Sequence, residues 1–391
     1  MDSDPLFKSF WMAGFEGADH VNSLGHVLSM NRSNAHWDLI EDDYRRLADF
    51  GIRTVRESVG WRAFAEDKDL PRRLPRHAEI AQRQGVQVIW TLHHYGIPRD
   101  VDFFAPDFAA RFADFCETVA NCLLPMIEGP PIFQPINEIS YLSWAANAGE
   151  LIPLSALGSQ RGHELKRQLV RAALAGCDAL WAVAPNARIV HTDPLIHVTG
   201  PQGGTEAQQL EAQEVSQGQF EAWDLIAGRK EPELGGAMRY LDVIGVNYYH
   251  PNQWEHPSNE RLFWHLGDPR RRDAADMLRD VKLRYGRPLF IAETGHVGEG
   301  RADWLDDIAS AVQRCEQRGT SIEGICLYPI VDRHDWLDPA HWHRSGLWDL
   351  PEPIARPDLR ELNQPLADRL RHWQRLLPSH QPGMDPPAPG C

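Results

Sequence analysis

Two glutamates stand where long apolar runs end: "PIFQPINEIS" reaches Glu138 just after Asn137, and "PLFIAETG" reaches Glu293. A carboxylate at such a place is ordinarily a solvated cap, because unpaired charges are rarely buried. The pair gains meaning only if the fold brings the two together. Two carboxyl groups facing one another can cleave an acetal: one protonates the departing oxygen while the other attacks the carbon or activates water. The attacking carboxylate must stay ionised, and Arg56 with the Tyr249 hydroxyl has the chemistry to hold it so. The acid partner must keep its proton near neutral pH, and an ionised neighbour raises its pKa.

The elements that would position these groups are legible as an alternation. Eight β-rich runs, at 7–15, 52–58, 86–93, 131–137, 187–193, 241–249, 288–294 and 322–330, are separated by longer segments. Four of these segments carry good helical patterns: "NAHWDLIEDDYRRLADFG", "PDFAARFADFCETVANCLL", "GHELKRQLVRAALAGCDALWAVA" and "ADWLDDIASAVQRCEQRG". Gly51 and Gly319 follow two of them as helix-ending glycines. Residues 196–220 read as a long loop running into a helix. The expectation is an α/β protein, a (β/α)₈ TIM barrel forming one domain over 1–377, with a disordered Pro/Gly-rich tail over 378–391.

In such a barrel the chemistry gathers where the strands end. Those ends carry Glu16 and Asp19, then Arg56, then His93, His94 and Tyr95, then Asn137 and Glu138. They continue with His191 and Asp193, with Asn247, Tyr248 and Tyr249, with Glu293, and with Tyr328, Asp332, Asp335 and Trp336. Closing the barrel sets Glu138, on the fourth strand, across the mouth from Glu293, on the seventh. Asn137 can bond a sugar hydroxyl beside the reacting carbon. Tyr95, Trp144, Trp254, Trp264, Trp336 and Trp348 offer flat faces to a sugar ring.

Composition narrows the partners. A formal charge of −15 over 391 residues argues against general affinity for nucleic acid or anionic membranes. The N-terminus lacks a secretory pattern, and no apolar run approaches the ~20 residues a bilayer requires. The expectation is a cytoplasmic protein with a carbohydrate substrate and neither nucleic-acid nor membrane partners. Six scattered cysteines, without CxxC spacing, read as free thiols. His341 and His343 could both reach one ion, but no metal-ligand spacing appears; P-loop, GxGxxG and GxSxG motifs are also missing. No metal or cofactor is expected.

The chain resembles glycoside hydrolase family one, the retaining β-glucosidase and β-galactosidase family, from about Phe10 to Asp349. "RESVGW" resembles its second-strand signature, with Arg56 and Trp61; "TLHHYGIP" resembles its histidine-tryptophan-aspartate stretch, keeping His94. "INEIS" resembles the acid/base motif, "IAETG" the nucleophile motif, "IGVNYY" the sixth-strand pattern, and "YPIVDRHDW" with "HRSGLWD" the eighth-strand region. The resemblance implies Glu138 as acid/base and Glu293 as nucleophile, supported by Arg56 and Tyr249. It places His94, Asn137 and Asn247 around the sugar, and Glu16, Tyr95, Tyr328, Asp335 and Trp336 join them as substrate-binding candidates from the strand ends.

The departures fall on that sugar site. The family's first-strand glutamine is Gly14 here, its third-strand tryptophan Tyr95, its eighth-strand tryptophan Tyr328, and the glutamate before its last tryptophan Asp335. Glu57 sits where the family prefers an apolar residue, and no chemical role follows for it. The implied activity is hydrolysis of a β-linked small glycoside by double displacement. Alternative readings are a transglycosylase on the same residues and a catalytically silent sugar-binding barrel; the latter would be marked by loss of one glutamate, and both are present.

Overall fold

The computed structural model describes residues 5–148, 151–152, 161–351 and 356–377. Eight parallel strands close into a barrel: β1 (Trp11–Gly14), β2 (Thr54–Ser58), β3 (Gln87–His93), β4 (Ile132–Ile136), β5 (Arg188–Pro194), β6 (Val243–Asn247), β7 (Leu289–Thr294) and β8 (Ile325–Leu327). Each falls on one of the runs read from the sequence, and only β5 runs past its run, by the single residue Pro194. Neighbours in sequence are neighbours in the barrel, and β8 returns to pair with β1. The expected tail over 378–391 lies outside the described residues.

Alternation along the strands builds two cores. Met12, Ile89, Ile132, Val190, Val243, Phe290 and Cys326 point into the barrel and fill it with Phe7 below. The opposite faces, including Trp11, Val55, Trp90, Phe133, Ile189, Ile244 and Ile291, pack outward against the helices. The four expected helices form as His36–Ala48, Phe108–Leu123, Gly162–Val183 and Arg301–Gln317. Gly51 and Gly319 follow two of them with φ of 63° and 72°, the left-handed conformation a glycine accepts without strain. The loop before 220 runs into a helix, Glu206–Gln217, whose start is closed by a reciprocal cap between Thr205 and Gln208.

Other helices escaped the sequence reading. Leu70–Arg83 tolerates Pro71 in its first turn and also contains Pro75, so its prolines mask a strong amphipathic pattern. Ile139–Ala148 begins immediately after Glu138, and Asp193 accepts from the amide of Ser140 in its first turn at 2.9 Å. The five cysteines among the described residues are free thiols.

Candidate active site

Strand ends aim the side chains, and local irregularities decide which ones face inward. On β7, Phe290 and Ala292 point into the barrel, so simple alternation would turn Glu293 outward. The register of β7 against β6 shifts between Ile291 and Glu293, and this bulge swings Glu293 into the mouth. Tyr95 and Glu138 follow β3 and β4 with φ of 78° and 50°. Non-glycine residues rarely hold this left-handed conformation, and such strain clusters at functional sites.

Glu293 is held from two sides. Arg56 Nη1 donates to its Oε1 at 2.9 Å, and the Tyr249 hydroxyl donates to its Oε2 at 2.9 Å. Arg56 is itself buried and committed: Nη1 also meets the Ala292 carbonyl at 2.7 Å, while Nη2 donates to Gln134 at 2.8 Å and to Asn137 at 3.1 Å. The result is a charged pair with fixed orientation on both members.

Glu138 has different company. Its Oε1 accepts from Asn247 Nδ2 at 3.0 Å, and its Oε2 accepts from the Tyr95 hydroxyl. No cation touches it among the described residues. Burial, and next the charge of Glu293, push its pKa up to about 8. Asn247 joins the two carboxyl groups: it is the cross-strand partner of Glu293 while its amide holds Glu138.

Around them the sugar-site candidates form one cluster with a single outlier. Asn137 Oδ1 accepts from Arg56, Gln134 and Thr192, and its Nδ2 faces His94 Nε2 at 3.3 Å and the Tyr95 oxygen at 3.1 Å. Burial, and next Arg56, keep His94 well below the usual histidine range. The neutral ring accepts from Asn137 at Nε2, so its Nδ1–H is left to donate to Ser58 Oγ at 3.1 Å. Glu16 is buried with Tyr328 Oη 3.5 Å and Arg333 Nε 3.5 Å away; burial raises its pKa while Arg333 opposes. Half-buried Trp336 meets the Tyr95 ring edge-on at 5.8 Å. Asp335 is the outlier: one oxygen caps the amides of Leu337 and Asp338, and the other meets His343 Nε2 at 2.9 Å. Burial would raise its carboxyl, but these bonds hold it down at about 2.

Several strand-end residues turn away. His93 packs against Trp61, Phe103 and Phe112, and Tyr248 bonds Gln253 and Arg271. Asp332 accepts from the amides of Ser345, Gly346 and Leu350 and shapes a loop. Trp348 is buried, pairs with Leu362 and meets Phe50 edge-on at 5.8 Å, so it belongs to the core and not to a sugar surface. Trp144, by contrast, is 54% exposed beside Tyr141.

Three contributors went unread in the sequence. Gln134 and Thr192 anchor Asn137 and Arg56; the visible signal was a glutamine inside the apolar run "PIFQPIN". His20 is buried against Trp336 and Tyr95 with both ring nitrogens unpartnered among the described residues, and burial takes its pKa down to about 4. Nothing in its sequence neighbourhood marked it.

The eight-stranded βα barrel is a fold shared with solved β-glucosidases. The fold matches a β-glucosidase from Thermotoga maritima solved with glucoimidazole, at TM-score 0.71 and 15% identity over 95% of this chain and 98% of that one. It also matches the AHE enzyme from Alicyclobacillus herbarius, at TM-score 0.72 and 17% identity over 96% and 98% of the two chains. Among curated proteins, the bifunctional β-D-glucosidase/β-D-fucosidase of Bifidobacterium breve is 23% identical over 411 aligned positions, covering 81% of this chain and 84% of that protein. No protein-family profile matches the chain. The shared property at these identities is the fold.

Proposed function

We propose that this protein is a retaining β-glycosidase that hydrolyses a β-linked small glycoside or oligosaccharide through a covalent glycosyl-enzyme. The observation that carries the reading is the unequal environment of its two buried carboxyl groups. Glu293 has a guanidinium and a phenol to keep it ionised, whereas Glu138 has only neutral donors and a raised pKa. The solved β-glucosidases of the same fold, and the curated β-glucosidase/β-fucosidase relative, support the same reading.

In the first step a Glu293 oxygen bonds to the anomeric carbon, the glycosidic C–O bond breaks, and the Glu138 proton passes to the leaving oxygen. Esterified Glu293 no longer carries charge, which removes one cause of the raised Glu138 pKa. Glu138 then takes a proton from water as that water attacks the anomeric carbon and releases Glu293.

Azide rescue tests both assignments at once. With an activated β-glycoside, Glu293→Gly should be inactive until azide is added and then form the α-glycosyl azide. Glu138→Gly should form the β-glycosyl azide instead. Folded variants that give no azide adduct, or the opposite anomers, would sink the assignment.

A further inference from the structure

The third-strand position where the family resemblance has a tryptophan holds Tyr95, and its hydroxyl reaches the carboxyl group that the proposed mechanism uses as acid. Its place in the polar network also sets the direction of that hydrogen bond. Arg56, Gln134 and Thr192 all donate to Asn137 Oδ1, so the Asn137 nitrogen must face the other way, toward His94 and Tyr95. Asn137 Nδ2 donates to the Tyr95 oxygen at 3.1 Å. With that lone pair taken, the phenolic hydrogen turns to its one acceptor among the described residues, Glu138 Oε2.

Glu138 Oε1 lies on the other side. It accepts from Asn247, whose backbone pairs with Glu293 in the β6–β7 register. Both members of the Tyr95–Glu138 contact also hold strained left-handed backbone conformations at the ends of adjacent strands.

We propose that Tyr95 is a positioning residue for general acid catalysis: by donating to Oε2 it orients the Glu138 carboxyl group and leaves Oε1, the oxygen beside Asn247, to carry the transferable proton. The inference rests on the glycosidase reading for the role of Glu138. A donor to a carboxylate favours its ionised form, so Tyr95 also tunes the pH at which the acid loses its proton. The chain Arg56–Asn137–Tyr95–Glu138 thereby ties the orientation of the acid to the same guanidinium that holds Glu293.

Tyr95→Phe removes the hydroxyl and keeps the ring. The alkaline limb of kcat/KM should move up by about one pH unit, the scale of a hydrogen bond to a charged group. kcat/KM should fall at least tenfold more for aryl glycosides with poor leaving groups than for dinitrophenyl glycosides, which need little acid assistance. A ¹³C titration of the Glu138 carboxyl in wild type and Tyr95→Phe should show the same upward shift without any turnover. Should the Phe variant fold poorly, Tyr95→Leu is read by the same titration. A limb and a carboxyl titration that stay put, or move down, would overturn the role of Tyr95 in an enzyme that still hydrolyses glycosides. Failure of the wild type to turn over any β-glycoside would overturn the glycosidase reading instead, while the titration still reports on the hydrogen bond.

Discussion

The ring of Tyr328 lies over Gly14: a Cβ built on Gly14 would stand 2.1 Å from Tyr328 Cδ2. Gly14 ends β1 and Tyr328 follows β8, the strand paired with it, and both are positions where the sequence departs from the pattern it resembles. The phenol fills the room a side chain at position 14 would need, and its hydroxyl points toward Glu16. Gly14→Ala should therefore destabilise the protein by about 1–3 kcal/mol through overpacking. In a Tyr328→Ala background the same substitution should cost little, giving a coupling of about 1 kcal/mol or more in a denaturation cycle. Equal costs in both backgrounds would show that the ring is not what excludes a side chain there.

Arg56 is buried with its charge balanced by Glu293 and its terminal Nη groups also bonded to Ala292, Gln134 and Asn137. Arg56→Met leaves Glu293 buried without its cation. Removing one member of such a pair typically costs 3–5 kcal/mol, roughly, in stability. kcat should drop by at least about a hundredfold, because the nucleophile loses both its charge partner and its orientation. A soluble Arg56→Met variant with near-normal kcat would contradict the assigned support of Glu293.

The raised Glu138 pKa, about 8, carries a sign that activity can read. A general acid works only while protonated, so kcat/KM should decline as pH rises through about 8. Glu138→Gln has no proton to lose and should lack that limb with dinitrophenyl substrates. The limb persisting in this variant would assign the ionisation to another group.

His36 and Glu57 make a buried ion pair behind β2. The imidazole meets Asp43 Oδ2 at 2.9 Å through Nδ1 and Glu57 Oε1 at 3.0 Å through Nε2, with Tyr44 donating to Glu57 at 2.7 Å. Two carboxylate partners require both ring nitrogens to be protonated. Burial lowers the His36 pKa, but Glu57 and Asp43 outweigh it and raise it to about 9. The folded value exceeds the ordinary unfolded one of about 6.5. This stabilisation is therefore complete below that unfolded value and is lost as pH rises through about 9. Melting temperature should fall over that window in wild type, and less so in Glu57→Gln, which should itself be about 3–5 kcal/mol less stable near pH 6. Parallel melting profiles for the two proteins would argue against a charged His36.

His36 and Glu57 also show where sequence reading stopped. A glutamate in a barrel strand looked anomalous beside Arg56 because its partners lie 21 and 13 residues earlier, on the helix His36–Ala48. Alternation along β2 sends Arg56 into the mouth and Glu57 to that helix. Local patterning identifies each charge; only packing names its partner. Trp348 and Asp335 show the same limit: packing puts Trp348 in a buried hairpin, and Asp335 bonds the turn at Leu337 and the His343 ring, neither legible from residue type.

The amino-acid sequence by itself determined the eight strands, four of the helices between them and the strand ends on which Glu138 and Glu293 sit. These follow from local hydrophobic period and chain order, which any barrel closure must respect. Tertiary structure decided which neighbours face the mouth. The bulge after Ile291 turns Glu293 inward, left-handed turns at Tyr95 and Glu138 bring a phenol to a carboxyl group, and Tyr328 takes the space before Gly14. Each depends on contacts between separate strands, and a one-residue shift in register moves a side chain to the opposite face.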